Sequence, residues 1–370
     1  MTNDNMKKYS NTRATLAVAV ASFRSIIRSP SAVVFSLAFP LIFIIVFANI
    51  GGGAVKVDVG VAKTCDTTSA DSLYQRLKQI PVIDLVKNQS DADMATNLSK
   101  GDLDAIIDVQ RHQTAPYFTL NVKYTTASAQ KGGVLKSLLD GMFFRINSLG
   151  NTMPQPIAEL KETTVHGREY KYIDFILPGM LGFSLLSSGV FGTAFVFLSL
   201  RLTLVIKRFF ATPVRKFSIV LGEGIARLVF SWIGALFIIT VGHYFFGFTL
   251  VHGFITVVNM LILSAIGLII FMGFGFIISG IAKNESTIPP LSNIITLPQF
   301  LLSGTFFATT AFPSWLRALA DILPLTYLNH AMRQVAFEGA GLGGVTHDLL
   351  ILGIWFIVVY AVAVKTFKWE

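Results

Sequence analysis

Charge is scarce in this sequence. Of 370 residues only 14% are Asp, Glu, Lys or Arg, while 53% are hydrophobic; a soluble globular chain carries about 25% charge. Residues 175–200 and 228–282 contain no Asp, Glu, Lys or Arg, which excludes a water-facing surface for either stretch. Each is long enough to cross a bilayer, where a helix needs about 20 apolar residues. Cysteine is almost missing. Cys65 is the single one, so neither an intramolecular disulfide nor a cysteine-rich metal site can form. It lies in a polar Thr-Cys-Asp-Thr-Thr turn, where an incidental, reagent-accessible thiol is expected.

Catalytic signatures are missing as well. No G-x-x-x-x-G-K-[ST] occurs, so the chain carries no phosphate-cradling loop. No H-E-x-x-H occurs, and the six His are scattered without metal-ligand spacing. Ser188-Gly189 and Ser303-Gly304 lack the glycine-bearing context of an intramembrane serine protease, and small residues in spans serve helix packing. The expectation is a non-enzyme with no catalytic, cofactor or metal residues. Span centres also lack Asp, Glu, Lys and Arg, which argues against a self-powered transporter, since such groups mark ion pathways at membrane depth. An ion- or proton-coupled secondary transporter, or a channel-like membrane protein, is the alternative reading.

What is present is a basic excess with a definite placement. The net charge is +9, yet residues 51–170 balance at 13 basic and 13 acidic. The excess sits in short stretches beside apolar spans: 1–29, 201–227, 283–287 and 365–370, with 14 basic against 4 acidic residues. Short loops rich in Lys and Arg stay in the cytosol, so the charge orients helices and does not imply nucleic acid. Both termini are expected inside a bacterial inner membrane.

The pattern along the chain predicts an α-helical integral membrane protein with six transmembrane helices. In residues 1–29, Leu16, Val20, Phe23 and Ile27 share one helical face beside Arg24 and Arg28, the pattern of an interfacial helix contacting membrane lipid. A first transmembrane helix follows within 30–50. Residues 51–170 alternate strand-like stretches (55–62, 82–86, 105–109, 117–124) with helical ones (70–79, 91–100, 128–147), predicting an inserted extracytoplasmic α/β domain. Pro154, Pro156 and the polar run to Arg168 read as a linker. Residues 171–370 supply five further spans: one over 175–200, two within 228–282, a fifth opened by Pro289-Pro290, and a last over 349–364. The segment 305–348 is too broken to cross and reads as outer, re-entrant backbone.

Between the second and third spans, 201–227 reads as a cytosolic loop. Phe209-Phe210-Ala211-Thr212-Pro213 suits the start of a short amphipathic helix, since Thr caps and Pro tolerates the first helical position. In the second and fifth spans, Asp174, Pro178, Gly179, Ser188, Pro298, Gln299 and Ser303 are candidate pathway or gate residues, because small residues allow close approach and proline allows bending. Plain packing within the subunit, and a helix-dipole role for Asp174, are the competing readings.

Together these motifs resemble the membrane subunit of a type-2 ABC exporter. They are the interfacial helix, the large domain after the first span, and Tyr172-x-Asp174-Phe-x-x-Pro178-Gly179 opening the second. Next come Lys207-Arg208 to Thr212-Pro213 ahead of Leu221-Gly222-Glu223, and Leu323-Pro324-Leu325-Thr326-Tyr327 to Arg333 before the last span. The large outer domain is similar to that of the multidrug-type branch. The resemblance implies an export permease for a drug- or lipid-like substrate, driven by a separate cytosolic ABC ATPase that holds the ATP and Mg. It also implies pairing with a second permease chain, as homo- or heterodimer. Lys207, Arg208, Phe209, Phe210, Thr212, Pro213, Arg215 and Glu223 would then form the ATPase-coupling surface, although many relatives carry Lys where Glu223 stands.

Overall fold

The computed structural model describes residues 10–29, 37–46, 57–65, 73–86, 89–148, 157–165, 171–205, 212–309 and 312–367. The chain divides into two units, Met1–Gly51 with Tyr172–Glu370, and Gly52–Lys171.

The inserted unit is a five-stranded sheet with helices on its faces. Its elements are β1 (Val57–Val61), β2 (Ile83–Val86), β3 (Ala105–Arg111), β4 (Phe118–Thr125) and β5 (Ala158–Val165), in the order β2-β1-β3-β4-β5. Only β3 and β4 run antiparallel; the other neighbours are parallel. Strand alternation sends Val57, Val59, Ala105, Ile107, Val109, Leu120 and Val122 into one core with Leu135, Leu139 and Phe143. The last three belong to the long helix Ala129–Ser148. Register agrees with that segregation, pairing Ile107 with Val122 and Val109 with Leu120. The opposite face takes the helix Asp91–Lys100, whose Met94 and Leu98 cluster with Leu103. Its ends are specified locally: the Ser90 hydroxyl accepts the Asp93 N–H, and Gly101 closes the helix at φ 85°. Asp104, 1% exposed, accepts the Asp58 N–H at 2.7 Å and the Lys131 ammonium at 3.1 Å. Burial pulls the Lys131 pKa down, but the Asp104 and Asp58 carboxylates outweigh it and hold it raised.

Two expectations need correction here. Residues 158–165 are not linker but the edge strand β5, parallel to β4; its Glu159, Lys161 and Glu162 are the charged residues that blunt a sheet edge. Cys65 is 8% exposed and belongs to the sheet core, so it is not an open thiol.

The other unit is helical. In chain order its elements are α1 (Asn11–Ile27), α2 (Leu37–Val46), α6 (Tyr172–Leu202), α7 (Lys216–Phe246), α8 (Phe254–Ile281), α9 (Ile288–Leu302), α10 (Ser314–Ala320), α11 (Pro324–Arg333) and α12 (Thr346–Thr366); α3–α5 are the helices Leu73–Lys78, Asp91–Lys100 and Ala129–Ser148 of the sheet unit. Among the described residues α6, α7, α8 and α12 are long and apolar enough to cross a membrane. At ~1.5 Å per residue, α9 with its 15 residues falls short of the ~30 Å hydrocarbon core. Residues 216–227 depart from the expected loop: they are the first three turns of α7. α1 lies against that end of α7, where Gly222 leaves room only for the Thr15 carbonyl and Val18 of α1. A cluster of rings joins α2, α6 and α9, with Phe183 and Phe300 centroids 4.1 Å apart, Phe39 and Phe183 5.2 Å, and Phe300 and Phe306 4.8 Å.

The burial of Cys65 makes it a reporter of the sheet core. Its alkylation should be slow in the folded chain and rise by about 30-fold or more in Leu120→Ala, if removing that fully buried side chain costs ~2 kcal/mol or more. A rate indifferent to Leu120→Ala would show that reagents reach the thiol without opening the core.

Candidate functional site

The positions singled out in the sequence fall in three places along the helical unit. The first is the start of α7. Thr212 and Pro213 sit in an exposed turn and Arg215 precedes the helix in extended conformation, so Pro213 does not open a helix; α7 begins three residues later. Arg215, Lys216 and Phe217 are exposed, Phe217 at 71%. Lys207, Arg208, Phe209 and Phe210 lie outside the described residues. Glu223 is corrected: it is 2% exposed and its carboxylate lies 2.7 Å from Arg227 one turn on, so it offers no surface contact.

The second place is the middle of α6. Ser188–Gly192 form a π turn, a one-residue bulge in which the regular i→i−4 ladder is broken. Arg227 crosses from α7 and donates to the Ser188 carbonyl at 3.2 Å and the Gly192 carbonyl at 2.5 Å. Gly192 leaves the room for this contact: a Cβ there would stand 1.8 Å from the guanidinium and push it aside. The other side of the turn meets α8, where Phe271 lies against Gly189 and Gly275 against the Gly189 and Val190 carbonyls. Composition and spacing did not disclose this joint. The i,i+4 spacing of Glu223 and Arg227 signals only that their own segment is helical, since such a pair neutralises itself on one helix face.

The third place gathers α6, α9 and α11. Asp174 is fully buried and accepts the Thr249 N–H at 2.7 Å and hydroxyl at 3.2 Å, so it fixes the α7–α8 connection in addition to starting its own helix. Arg333 donates to the Phe175 and Gly304 carbonyls at 3.1 and 2.5 Å and stacks 3.7 Å over the Phe175 ring. Asn329, fully buried, donates to the Ser303 carbonyl at 3.2 Å and the Thr305 hydroxyl at 3.2 Å. Gly179 packs on the Thr305 backbone, Pro178 is buried, Gln299 is 2% and Ser303 1% exposed, and Pro298 faces outward. Ser188, Gln299 and Ser303 are therefore not one lined route in this conformation. Ser188 belongs to the π turn, and Gln299 and Ser303 to packing inside the subunit. Nearby, His330 Nδ1 lies 2.8 Å from Asp348 of α12. That hydrogen bond holds the His330 pKa above its ordinary value, against burial and with help from the charge of Asp348.

A family model described as an ABC-2 family transporter protein matches residues 30–365. The chain belongs to the ABC-2 transporter family. This ABC-2 chain is 23% identical over 369 residues to ABC transporter G family member 20 of Dictyostelium discoideum, covering 95% of the chain but 50% of that relative; it spans half of that protein's length. It is 25% identical over 224 residues to the inner membrane transport permease YadH of Escherichia coli (strain K12), covering 60% of the chain and 80% of YadH. It is 20% identical over 370 residues to the probable multidrug ABC transporter permease YbhS of the same strain, covering 96% of both chains.

For the buried polar group of this ABC-2 protein the expectation is definite. Ser303→Phe should overpack the Asn329–Thr305 contact and lower stability by ~1–3 kcal/mol. Leu297→Ser, at a position 50% exposed on the opposite face of α9, should leave the melting temperature in detergent nearly unchanged. Equal losses in the two variants would reject the inward packing of Ser303.

Proposed function

We propose that this chain is the permease subunit of an ATP-driven exporter, moving a hydrophobic or amphipathic substrate out of the cytoplasm or inner leaflet of a bacterial inner membrane. ATP hydrolysis would reside on a separate cytosolic ABC ATPase, and two permease chains would pair. The observation that carries the reading is the end-to-end alignment with YbhS, a protein named a probable multidrug ABC transporter permease, across 96% of both chains. The name of YadH supports the inner membrane.

Electrostatics favour an external energy source over ion coupling. The ionised pair within α7, Glu223 and Arg227, is closed on itself at 2.7 Å and is tied to backbone carbonyls, which is a structural use of charge and not a relay of titrating groups. The docking element for the ATPase would be the basic, aromatic stretch 207–217. The exposed Arg215, Lys216 and Phe217 support that use, with Phe209 and Phe210 as anchors and Lys207 and Arg208 meeting acidic groups at the rim of the cleft. Buried aromatic anchors dominate interface energetics. Replacing Phe209 and Phe210 by Ala should abolish co-purification of the ATPase while the permease still inserts and melts normally. Unchanged recruitment would remove the docking role.

Topology is tested separately. With both termini inside, residues 52–171 lie outside, so Lys161→Cys in a Cys65→Ser background should react with a membrane-impermeant thiol reagent in intact spheroplasts. Lys161 is chosen because its side chain is 59% exposed on the edge strand. Labelling only after lysis would invert the orientation.

A further inference from the structure

The geometry points to Arg227 as the residue that sets the helical register of α6, holding the π turn at Ser188–Gly192 in place and passing movements of the start of α7 into that turn.

A π turn carries one residue more than the regular ladder accommodates. Such a turn breaks the regular ladder, and carbonyls at its two ends can take a side-chain donor where an apolar membrane interior offers no water. Arg227 supplies donors at both ends of the turn, to Ser188 and to Gly192. Were α6 to straighten, the two carbonyls would no longer stand where one guanidinium bridges them, and it would retain only Glu223. The two arrangements exchange one set of hydrogen bonds for another, which is the condition for a bistable element. The guanidinium is also incompletely used here: its buried Nε–H has no acceptor among the described residues, so it can take a different acceptor in a second arrangement. Loss of one inserted residue turns the helix on one side of the bulge by about 100° and shifts it by ~1.5 Å relative to the other. The half that would turn carries Gly179 and Gly182, which abut Thr305, Leu325 and Asn329.

Coupling to the start of α7 follows from spacing. Glu223 and Arg227 stand two and three turns into α7. The backbone of α1 presses on Gly222, immediately before Glu223, where a Cβ would stand 2.8 Å from both the Thr15 carbonyl and Val18. A displacement of this end of α7 or of α1 thus moves the guanidinium directly. That this end faces a cytosolic ATPase rests on the function proposed above; the register role of Arg227 does not.

Hydrogen–deuterium exchange of the full chain in lipid nanodiscs, read by mass spectrometry on peptides spanning 184–196, tests both halves without any partner. The variant Glu223→Met with Arg227→Met replaces the pair by apolar side chains of similar volume, a change that buried ion pairs often tolerate. It should keep the melting temperature while slowing exchange at 189–193 at least tenfold, as the turn closes into regular helix. Exchange unchanged or faster in that folded variant would overturn the register role. Should the double variant fail to fold, Arg227→Lys answers the same question. One ammonium cannot bridge both carbonyls, so exchange at 189–193 should still slow, and an unchanged rate overturns the role. Gly222→Ala, which displaces α1 and touches neither Arg227 nor α6, should alter exchange at 189–193 at least threefold. No change there would remove the relay and leave the register role standing.

Discussion

A carbonyl released from its helical ladder inside an apolar medium must be given a donor, and the helical unit is arranged around that need. Three arginines serve it. Arg201 at the end of α6 donates to the Ala282 carbonyl past the end of α8, Arg227 to the π turn, and Arg333 to the Phe175 and Gly304 carbonyls. Arginine suits the task because its planar fork has five donors and stays ionised. Aromatic side chains also donate to carbonyls of other elements, within a helix as well as past its end: Trp232 to Leu261 and Tyr360 to Ile269 inside α8, Trp355 to Ile322 and Tyr172 to Phe306. Each of these bonds joins two different elements, so satisfying the backbone also fixes how the helices sit on one another.

The same medium reverses the usual polarity of a helix. In α9 the buried positions after Ile288 at its start are Ser292, Thr296 and Gln299, with Ser303 just beyond the helix, while Ile294, Leu297 and Leu301 are 71%, 50% and 57% exposed. In water such a helix would be turned inside out. In lipid the apolar face needs no burial, and hydrogen bonds and close packing hold the polar one inward. Glycines on α6 complete the arrangement, since Gly182 lets the buried Asn329 amide approach to a distance no side chain would permit.

Much of this was legible in the residues. The long uncharged runs marked α6, α8 and α12, period-two alternation marked β1 and β4 because each has a buried face, and a short apolar stretch marked β3. Edge strand β5 escaped for the opposite reason: its Glu159, Lys161, Glu162, Thr163 and Thr164 carry no apolar alternation, and only pairing with β4 makes it a strand. The start of α7 escaped because charge was taken to mean loop. Glu223 and Arg227 cancel each other at i,i+4, so their turn counts as nearly neutral. Cys65 was misplaced by its polar neighbours, whose exposure says nothing about one side chain turned toward the sheet core. The π turn has no sequence rule at all; it follows from what α7 and α8 present to α6.

These placements also change which residues an assembly of such chains could use. Small residues on α6 were candidates to line a pathway, but Gly179, Gly182, Gly189 and Gly192 already have neighbours from the 303–306 segment, α11, α8 and α7 respectively. A helix face occupied within one subunit cannot serve another without first being vacated. Among the described residues one face that remains open is apolar: Ile294, Leu297 and Leu301 of α9, with Phe307 beyond it at 55% exposure. Lipid satisfies such a face as well as protein does, so apolarity alone does not select a partner there. Behind that face the polar side chains Gln299, Ser303 and Asn329 are buried. Of the contacts on α6, the joint at Ser188–Gly192, where the regular ladder is already broken, is the place where the least regular structure would have to be undone for that helix to bend.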